Sequence, residues 1–136
     1  MILPCAAFAA CLSADVCRAE APSFVKAFPV WPEGREREQN LFIGFRSGFE
    51  AREGAKPVLR ITGCSDYRIS LNGKHVGWGP ARATRGYFRV DEIPLAAKPG
   101  KNVIAIEVAG YNCMSFCHMK QPSFLQAEVT DGDRVL

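Results

Sequence analysis

The sequence predicts an all-β fold, an antiparallel β-sandwich of the jelly-roll type. Apolar residues alternate with polar ones in several short segments, as in half-buried strands. Asn-Gly, Gly-Pro and Asp-Gly signals separate these segments at intervals of roughly 8–12 residues, which is typical of sandwiches and jelly rolls. No window of about 12 or more residues has a helical period.

The composition is that of a globular domain. The chain has 136 residues, 48% hydrophobic and 23% charged, which excludes a disordered or collagen-like chain and suits one domain. The net charge of +3 is too small to predict nucleic-acid binding by itself. No run of about 18 apolar residues is present, which excludes a multi-span membrane protein.

The N-terminal segment differs in composition from the rest. Residues 2–14 carry no charge and are rich in alanine, and Ala19-Glu20-Ala21 has the form of a signal-peptidase site. We therefore expect residues 1–21 to be a signal peptide and the protein to be secreted or periplasmic in a bacterium. Because no lysine or arginine precedes the apolar run, a buried N-terminal helix is the alternative. A lipid anchor is a weaker one, since the sequence before Cys11 is a poor lipobox.

The next segment, residues 22–40, is an extended lead-in with prolines and alternating charges, where only Trp31 needs burial. The sandwich is expected over residues 41–136. Its first strand is predicted over residues 41–49, where apolar side chains share one parity: Leu41, Ile43, Phe45 and Phe49. A β-branched run over residues 58–62 predicts the second strand.

The strongest local signal is a β-hairpin centred on Asn72-Gly73. Residues 67–71 alternate apolar and polar side chains, and residues 75–78 supply the return strand. A type I′ turn needs positive φ at both central residues, which Asn tolerates and Gly adopts freely. Gly79-Pro80 ends the return strand. We assign all four of these turn residues structural roles.

Residues 86–90 are predicted to be a further strand, with Phe88 and Val90 pointing inward. Gly100 is assigned to a structural turn that feeds the following segment. That segment, residues 102–109, is almost continuously apolar, which predicts a central strand covered on both faces.

The last predicted strand covers residues 124–130, and Asp131-Gly132 signals a hairpin into Val135-Leu136. These segments amount to about seven strands, whereas a jelly roll has about eight. Because the chain stops straight after a hairpin signal, we expect a sandwich that is truncated at its C-terminus, as a fragment of a larger protein.

Several motifs carry a family resemblance. They are Trp-Pro-Glu-Gly at 31–34, Asn-Leu-Phe at 40–42, Tyr-Arg-Ile-Ser-Leu-Asn-Gly-Lys-His-Val-Gly at 67–77, Gly-Pro-Ala-Arg at 79–82, Gly-Lys-Asn-Val-Ile-Ala-Ile-Glu-Val at 100–108 and Gly-Tyr-Asn at 110–112. Together they resemble the N-terminal β-sandwich of bacterial α-L-rhamnosidase-like glycoside hydrolases, over residues 28–136. The Tyr-x-x-x-x-Asn-Gly and Gly-Lys-Asn-Val-Ile motifs also occur in galactose-binding-like jelly rolls of other glycosidases.

The resemblance implies a parent enzyme that hydrolyses terminal α-L-rhamnose. In the family, the catalytic acids lie in a downstream (α/α)₆ barrel, which this sequence does not contain. No catalytic residue can therefore be assigned here, and no cofactor is implied. The chain is expected to be an accessory domain that packs on a missing C-terminal catalytic domain or feeds glycan to it. A stand-alone carbohydrate-binding module and a purely structural interdomain module are the alternatives.

Candidate carbohydrate-binding residues are those that offer an aromatic face to sugar C–H groups or a planar polar group to hydroxyls: Trp78, Arg82, Tyr87, Tyr111 and Asn112. They lie beside turns and loops of the predicted sandwich, where binding residues usually concentrate. The alternative is edge packing for the aromatic side chains, a salt bridge for Arg82, or a surface that faces the missing domain.

Other chemistries find less support. Glycoside hydrolysis needs two carboxylates about 5–9.5 Å apart, and the five acids near predicted strands have simple roles at turns or on solvated faces: Asp66, Asp91, Glu92, Glu107 and Glu128. Arg82, Arg85 and Arg89 lie near Tyr87 and Phe88, but the export signal argues against a nucleic-acid partner.

The cysteines that follow the predicted signal peptide are candidate metal ligands. Cys113, Cys117 and His118 with Cys64 suit a tetrahedral zinc site poorly, because one cysteine directly precedes the histidine. We therefore predict no metal. The three cysteines leave the disulfide state open, with free buried thiols preferred.

Overall fold

An all-β sandwich of two antiparallel four-stranded sheets is seen in the computed structural model, which describes residues 23–136. This confirms the predicted fold class, while the predicted signal peptide lies outside the described residues. The strands are β1 Leu41–Ala51, β2 Val58–Cys64, β3 Asp66–Leu71, β4 Lys74–Gly79, β5 Asp91–Pro94, β6 Gly100–Gly110, β7 Phe124–Asp131 and β8 Arg134–Val135. No helix within residues 23–136 is long and apolar enough to cross a membrane.

The strand order is β1-β6-β3-β4 in one sheet, here called the front sheet, and β5-β2-β7-β8 in the other, the back sheet. The chain crosses repeatedly between the two sheets, as it must in a jelly roll. The core lies between them and is built from apolar side chains of both: Phe49, Leu59, Ile61, Tyr67, Ile69, Leu71, Ile104, Ile106, Val108, Leu125 and Val129. Each such side chain contributes about 1.5–3 kcal/mol by leaving water.

The parity predicted for β1 is confirmed. Ile43 and Phe45 are half-buried and Phe49 is buried, whereas Phe42 and Arg46 between them are exposed. The alternation of apolar residues therefore predicted the inner face of β1 correctly. The large aromatic side chain of Phe42 lies on the outer face.

The hairpin between β3 and β4 is also confirmed. Asn72 has φ +50° and Gly73 has φ +79°, both in the left-handed region that the turn requires. Asn72 Oδ1 accepts the N–H of Val103 at 2.9 Å, and its Nδ2 donates to Asn102 Oδ1 at 2.9 Å. The side chain of Asn72 therefore also ties the hairpin to the start of β6.

The strand predicted over residues 86–90 is wrong. Those residues belong to a loop, and the strand begins one residue later as β5, which pairs with β2. Gly86 has φ +81°, and the N–H of Tyr87 donates to the carbonyl of Thr84 at 3.0 Å, so the backbone turns there. Phe88 packs edge-on against Phe124, with ring centres 4.7 Å apart.

β6 is a central strand as predicted, but only one of its faces lies in the core. Asn102, Ile104, Ile106 and Val108 are buried between the sheets. On the outer face Glu107 is exposed, and the small apolar side chains beside it are half-buried: Val103, Ala105 and Ala109. The expectation of burial on both faces is therefore corrected, because no second layer covers the front sheet within the described residues.

The lead-in packs along the back sheet. Val30 and Leu125 exchange two backbone hydrogen bonds of 2.7 and 2.9 Å. Trp31 is half-buried and packs against Phe45 at 6.1 Å between ring centres, as its need for burial predicted. The buried carboxylate of Glu128 accepts three backbone N–H groups of the lead-in at 2.8–3.1 Å, those of Val25, Lys26 and Ala27.

Candidate functional site

The outer face of the front sheet presents one row of side chains that crosses all four strands. The strand register places Gly44, Glu107, Arg68 and Trp78 side by side in that row. Trp78 stands at the edge on β4 with 80% of its surface exposed. Arg68 Nε donates to Glu107 Oε2 at 2.7 Å in the centre of the row. Gly44 adds no side chain, so the floor of the row is low.

A second row and the loop after β6 complete this surface. Phe42 is 64% exposed and lies in the row with Ala109 and Asp66. Tyr111 meets Phe42 edge-on with ring centres 5.8 Å apart. An open depression of about 500 Å³ lies between Phe42 and Trp78. We call Phe42, Trp78 and Tyr111 the aromatic face.

A smaller groove lies beside the aromatic face, between the loop of residues 80–90 and the loop of residues 111–123. Its volume is about 80 Å³, and Arg82, Tyr87 and His118 are among its lining residues. Asp66 borders both this groove and the depression of the aromatic face. We call it the loop groove; the two surfaces are continuous through Asp66.

His118 fastens the second loop to β3. Its Nε2 lies 3.2 Å from Asp66 Oδ2, and its Nδ1 lies 3.2 Å from the hydroxyl of Ser115. The same hydroxyl accepts the backbone N–H groups of Cys117 and His118 at 3.2 and 2.9 Å. The ring of His118 also packs on Tyr111 at 4.8 Å between ring centres. These contacts hold Tyr111 and the loop groove in one arrangement.

The five predicted sugar-binding residues separate into three places. Trp78 and Tyr111 lie on the aromatic face, and Arg82 and Tyr87 line the loop groove. Asn112 is only 2% exposed and adopts φ +43°. Its carbonyl lies 3.5 Å from the side-chain nitrogen of Gln39, while its own Nδ2 has no partner among the described residues. Asn112 therefore shapes the loop from beneath.

Sequence reasoning did not assign Phe42, Phe116 or His118 to this surface; it weighed His118 only as a metal ligand. Phe42 could have been found, since it is a large aromatic residue at an outward position of β1. Phe116 is 90% exposed, and its ring centre lies 5.7 Å from the guanidinium carbon of Arg82. Neither that contact nor the role of His118 follows from a local pattern, because each depends on how two loops meet.

The five acids considered for hydrolysis all have partners. Asp66 contacts His118, Glu107 pairs with Arg68, and Glu128 holds the lead-in. Glu92 pairs with Arg60 at 2.7 Å. Asp91 accepts the hydroxyl of Tyr67 and lies 3.0 Å from Arg89. Each of these five carboxylates thus has a partner within the described residues.

The three cysteines in the described part of the chain are free thiols. Cys64 is buried, and burial raises the pKa of its thiol above the ordinary value. Cys113 is half-buried and Cys117 is exposed. The prediction of a free, buried thiol is therefore confirmed for Cys64 and wrong for Cys117, whose thiol is exposed.

Comparison with known proteins identifies solved structures that share this fold. No protein-family model matches the sequence, and no curated protein matches it either. Among solved structures, a GH78 family rhamnosidase of Bacillus sp. GL1 superposes with a TM-score of 0.78 and 28% identity over 85% of this chain. The chain is similar to one domain of a GH78 rhamnosidase. The resemblance predicted from the sequence motifs is thereby confirmed.

The matched region is a small part of the rhamnosidase. This chain spans 13% of the length of the Bacillus enzyme. The α-L-rhamnosidase from Dictyoglumus thermophilum has 18% identity and a TM-score of 0.51, over 82% of this chain and 14% of that enzyme. At that identity the second comparison supports the fold alone.

Proposed function

We propose that this chain is a non-catalytic accessory β-sandwich of an α-L-rhamnosidase-like glycoside hydrolase, and that its aromatic face binds glycan. The observation that carries the proposal is the superposition on one domain of a GH78 rhamnosidase, over 85% of this chain but 13% of the enzyme. A domain of that kind works beside a catalytic domain.

The chemistry of the aromatic face suits a sugar. Trp78 and Phe42 offer exposed apolar rings on either side of an open depression, and such rings bury the C–H face of a pyranose. The Arg68–Glu107 pair lies on the floor between them and supplies donors and acceptors for hydroxyl groups. A few polar groups within an otherwise apolar lining are what a small-molecule site requires.

A second candidate is packing on the catalytic domain. Large apolar side chains are exposed along the aromatic face and the adjoining loops, and a contiguous patch of that kind marks a protein interface: Phe42, Trp78, Tyr87, Met114 and Phe116. In that case the chain acts as an interdomain module and has no sugar affinity of its own. A stand-alone carbohydrate-binding module would bind sugar without any catalytic neighbour.

Export belongs to the same proposal. Residues 1–21 act as the signal peptide, residues 22–40 as the lead-in and residues 41–136 as the sandwich. The protein is then secreted or periplasmic, where glycans are encountered. Mass spectrometry of the mature N-terminus after expression in a bacterium tests this, and a start at residue 22 is the expected result.

The direct test is calorimetric titration of the full chain with L-rhamnose and rhamnose-containing oligosaccharides. We expect saturable binding that Trp78→Ala and Tyr111→Ala each weaken by at least about fivefold, because a buried aromatic contact contributes about 1 kcal/mol or more. Phe28→Ala is the matched control, since Phe28 is 80% exposed but lies on the lead-in. Absence of binding by the folded chain would favour the interdomain module.

A further inference from the structure

The two loops that form the loop groove carry an excess of positive charge. Arg82, Arg85 and Arg89 lie in the loop of residues 80–90, Lys120 lies in the loop of residues 111–123, and neither loop contains an acidic residue. Arg89 pairs with Asp91 at 3.0 Å. Within residues 23–136, the other three cations take part in no ion pair.

Within residues 23–136, three arginines outside these loops are paired with acids, and four take part in no ion pair: Arg37, Arg46, Arg52 and Arg134. Arg35 bonds to Glu38, Arg60 to Glu92 and Arg68 to Glu107. Two arginines line the loop groove itself: Arg82, which has no acid partner within the described residues, and Arg89, which lies beside Asp91. Positive charge concentrated at a concave site attracts an anionic ligand.

Aromatic side chains share this rim with the arginines. Arg82 lies over the ring of Phe116, a cation–π contact that favours one position of the guanidinium while leaving it exposed. Tyr87 is also exposed at the groove. An anion that also presents an apolar surface would contact both kinds of group.

We propose that the loop groove binds the carboxylate of a uronic-acid residue in an acidic saccharide. This inference rests on the proposed glycan-binding function and specifies the ligand for the part of the surface around Arg82. An arginine fork matches a carboxylate with two parallel hydrogen bonds. The groove, at about 80 Å³, takes a group of that size rather than a whole ring. The sugar ring then lies against Tyr87 and Phe116 outside it.

Single-stranded nucleic acid is the other polyanion that uses arginine together with aromatic rings. The acidic saccharide is favoured because the groove is continuous with the aromatic face through Asp66, so that one glycan chain can cross both surfaces.

The test compares two ligands with one carbon skeleton. Trigalacturonate and its methyl ester are titrated into the full chain at low ionic strength, where exposed charges are least screened. We expect the acid to bind about tenfold more tightly than the ester, and Arg82→Gln to remove that preference, because a charge-assisted hydrogen bond contributes about a tenfold effect or more. Arg82→Lys keeps the positive charge but lacks the arginine fork, so it should retain only part of the preference for the acid.

Arg52→Gln is the matched control, since Arg52 is exposed and lies outside the loop groove. Equal binding of acid and ester would overturn the uronate assignment and leave the glycan-binding function standing. Failure of the chain to bind these ligands and rhamnose-containing oligosaccharides alike would overturn both. Tighter binding of an oligothymidylate that Arg82→Gln weakens would replace the saccharide with nucleic acid. An unchanged preference in a folded Arg82→Gln protein would also overturn the assignment.

Discussion

The hydroxyl of Tyr67 in β3 donates a hydrogen bond to the carboxylate of Asp91 in β5, so one polar contact joins the two sheets. Gly79, the last residue of β4, lies against this contact. A Cβ atom at Gly79 would be 2.7 Å from both the Tyr67 hydroxyl and Asp91 Oδ2. Since residues 80–90 follow directly, the contact also fixes where the loop groove begins.

Gly79→Ala is expected to destabilise the protein, because the added methyl group collides with the hydrogen-bonded pair. Overpacking of this kind costs about 1–3 kcal/mol in free energy of unfolding. Urea denaturation measures it. Gly44→Ala is the control, because nothing lies within 4 Å of a Cβ atom there. Equal stability of the two variants would show that the space beside Tyr67 is not as tight as described.

The Tyr67–Asp91 contact also predicts instability at alkaline pH. Burial, and after it the hydrogen bond to Asp91, raises the pKa of Tyr67 above its ordinary value. The unfolded chain loses this proton near pH 10 while the folded protein keeps it. The stabilising contribution is therefore complete below about pH 10 and declines above it, by up to about 1.4 kcal/mol per pH unit.

Denaturation midpoints between neutral and strongly alkaline pH measure this decline. Tyr67→Phe is expected to be less stable at neutral pH and to decline less steeply above pH 10. Tyr87→Phe, which alters an exposed tyrosine, should follow the wild-type slope. A Tyr67→Phe slope identical to that of the wild type would contradict the role given to this hydroxyl.

Glu128 is expected to hold the lead-in at neutral pH and to release it in acid. Burial alone would raise the pKa of this carboxyl, but the backbone N–H groups of Lys26, Val25 and Ala27, with Arg60 at 3.9 Å, lower it below the ordinary value. A lowered pKa stabilises the fold above about pH 4.3. That contribution is lost as the pH falls through the folded-state value.

Hydrogen exchange tests the attachment directly. Glu128→Gln should lose about 1.5–3 kcal/mol of stability at pH 7, the value of a charged hydrogen-bonded group. Exchange of the amides at residues 25–27 should become faster than in the wild type. Glu53→Gln, at an exposed turn after β1, serves as the control. Unchanged protection of these amides in Glu128→Gln would mean that the lead-in is held by other contacts.

Local rules predicted much of the fold, and non-local pairing explains the misses. The parity of β1 and the Asn72-Gly73 turn depend on neighbouring residues, so the sequence alone identified them. Residues 86–90 resemble a strand by composition, yet β5 pairs with β2 only from Asp91 onward. Which of two adjacent segments finds a partner strand depends on residues that are distant in sequence.

The candidate site shows the same division. Trp78 was predicted as a site residue because it is aromatic and lies beside a turn. The structure places it at the end of the row of side chains that crosses the front sheet. The whole row, from Gly44 to Trp78, follows only from the register of three strand pairs. The contact of Arg82 with Phe116 needs the relative position of two loops. Neither relationship has a signature in a short stretch of sequence.

The central claim, that the aromatic face binds glycan, is tested most directly by the indole N–H signals of the two tryptophans in a ¹⁵N-labelled sample. Trp78 is exposed on the aromatic face, whereas Trp31 donates its indole N–H to the carbonyl of Arg35 in the lead-in. Titration with a rhamnose-containing oligosaccharide should shift the Trp78 signal saturably and leave the Trp31 signal in place. Two unmoved signals in a folded protein, or movement of Trp31 alone, would contradict the claim.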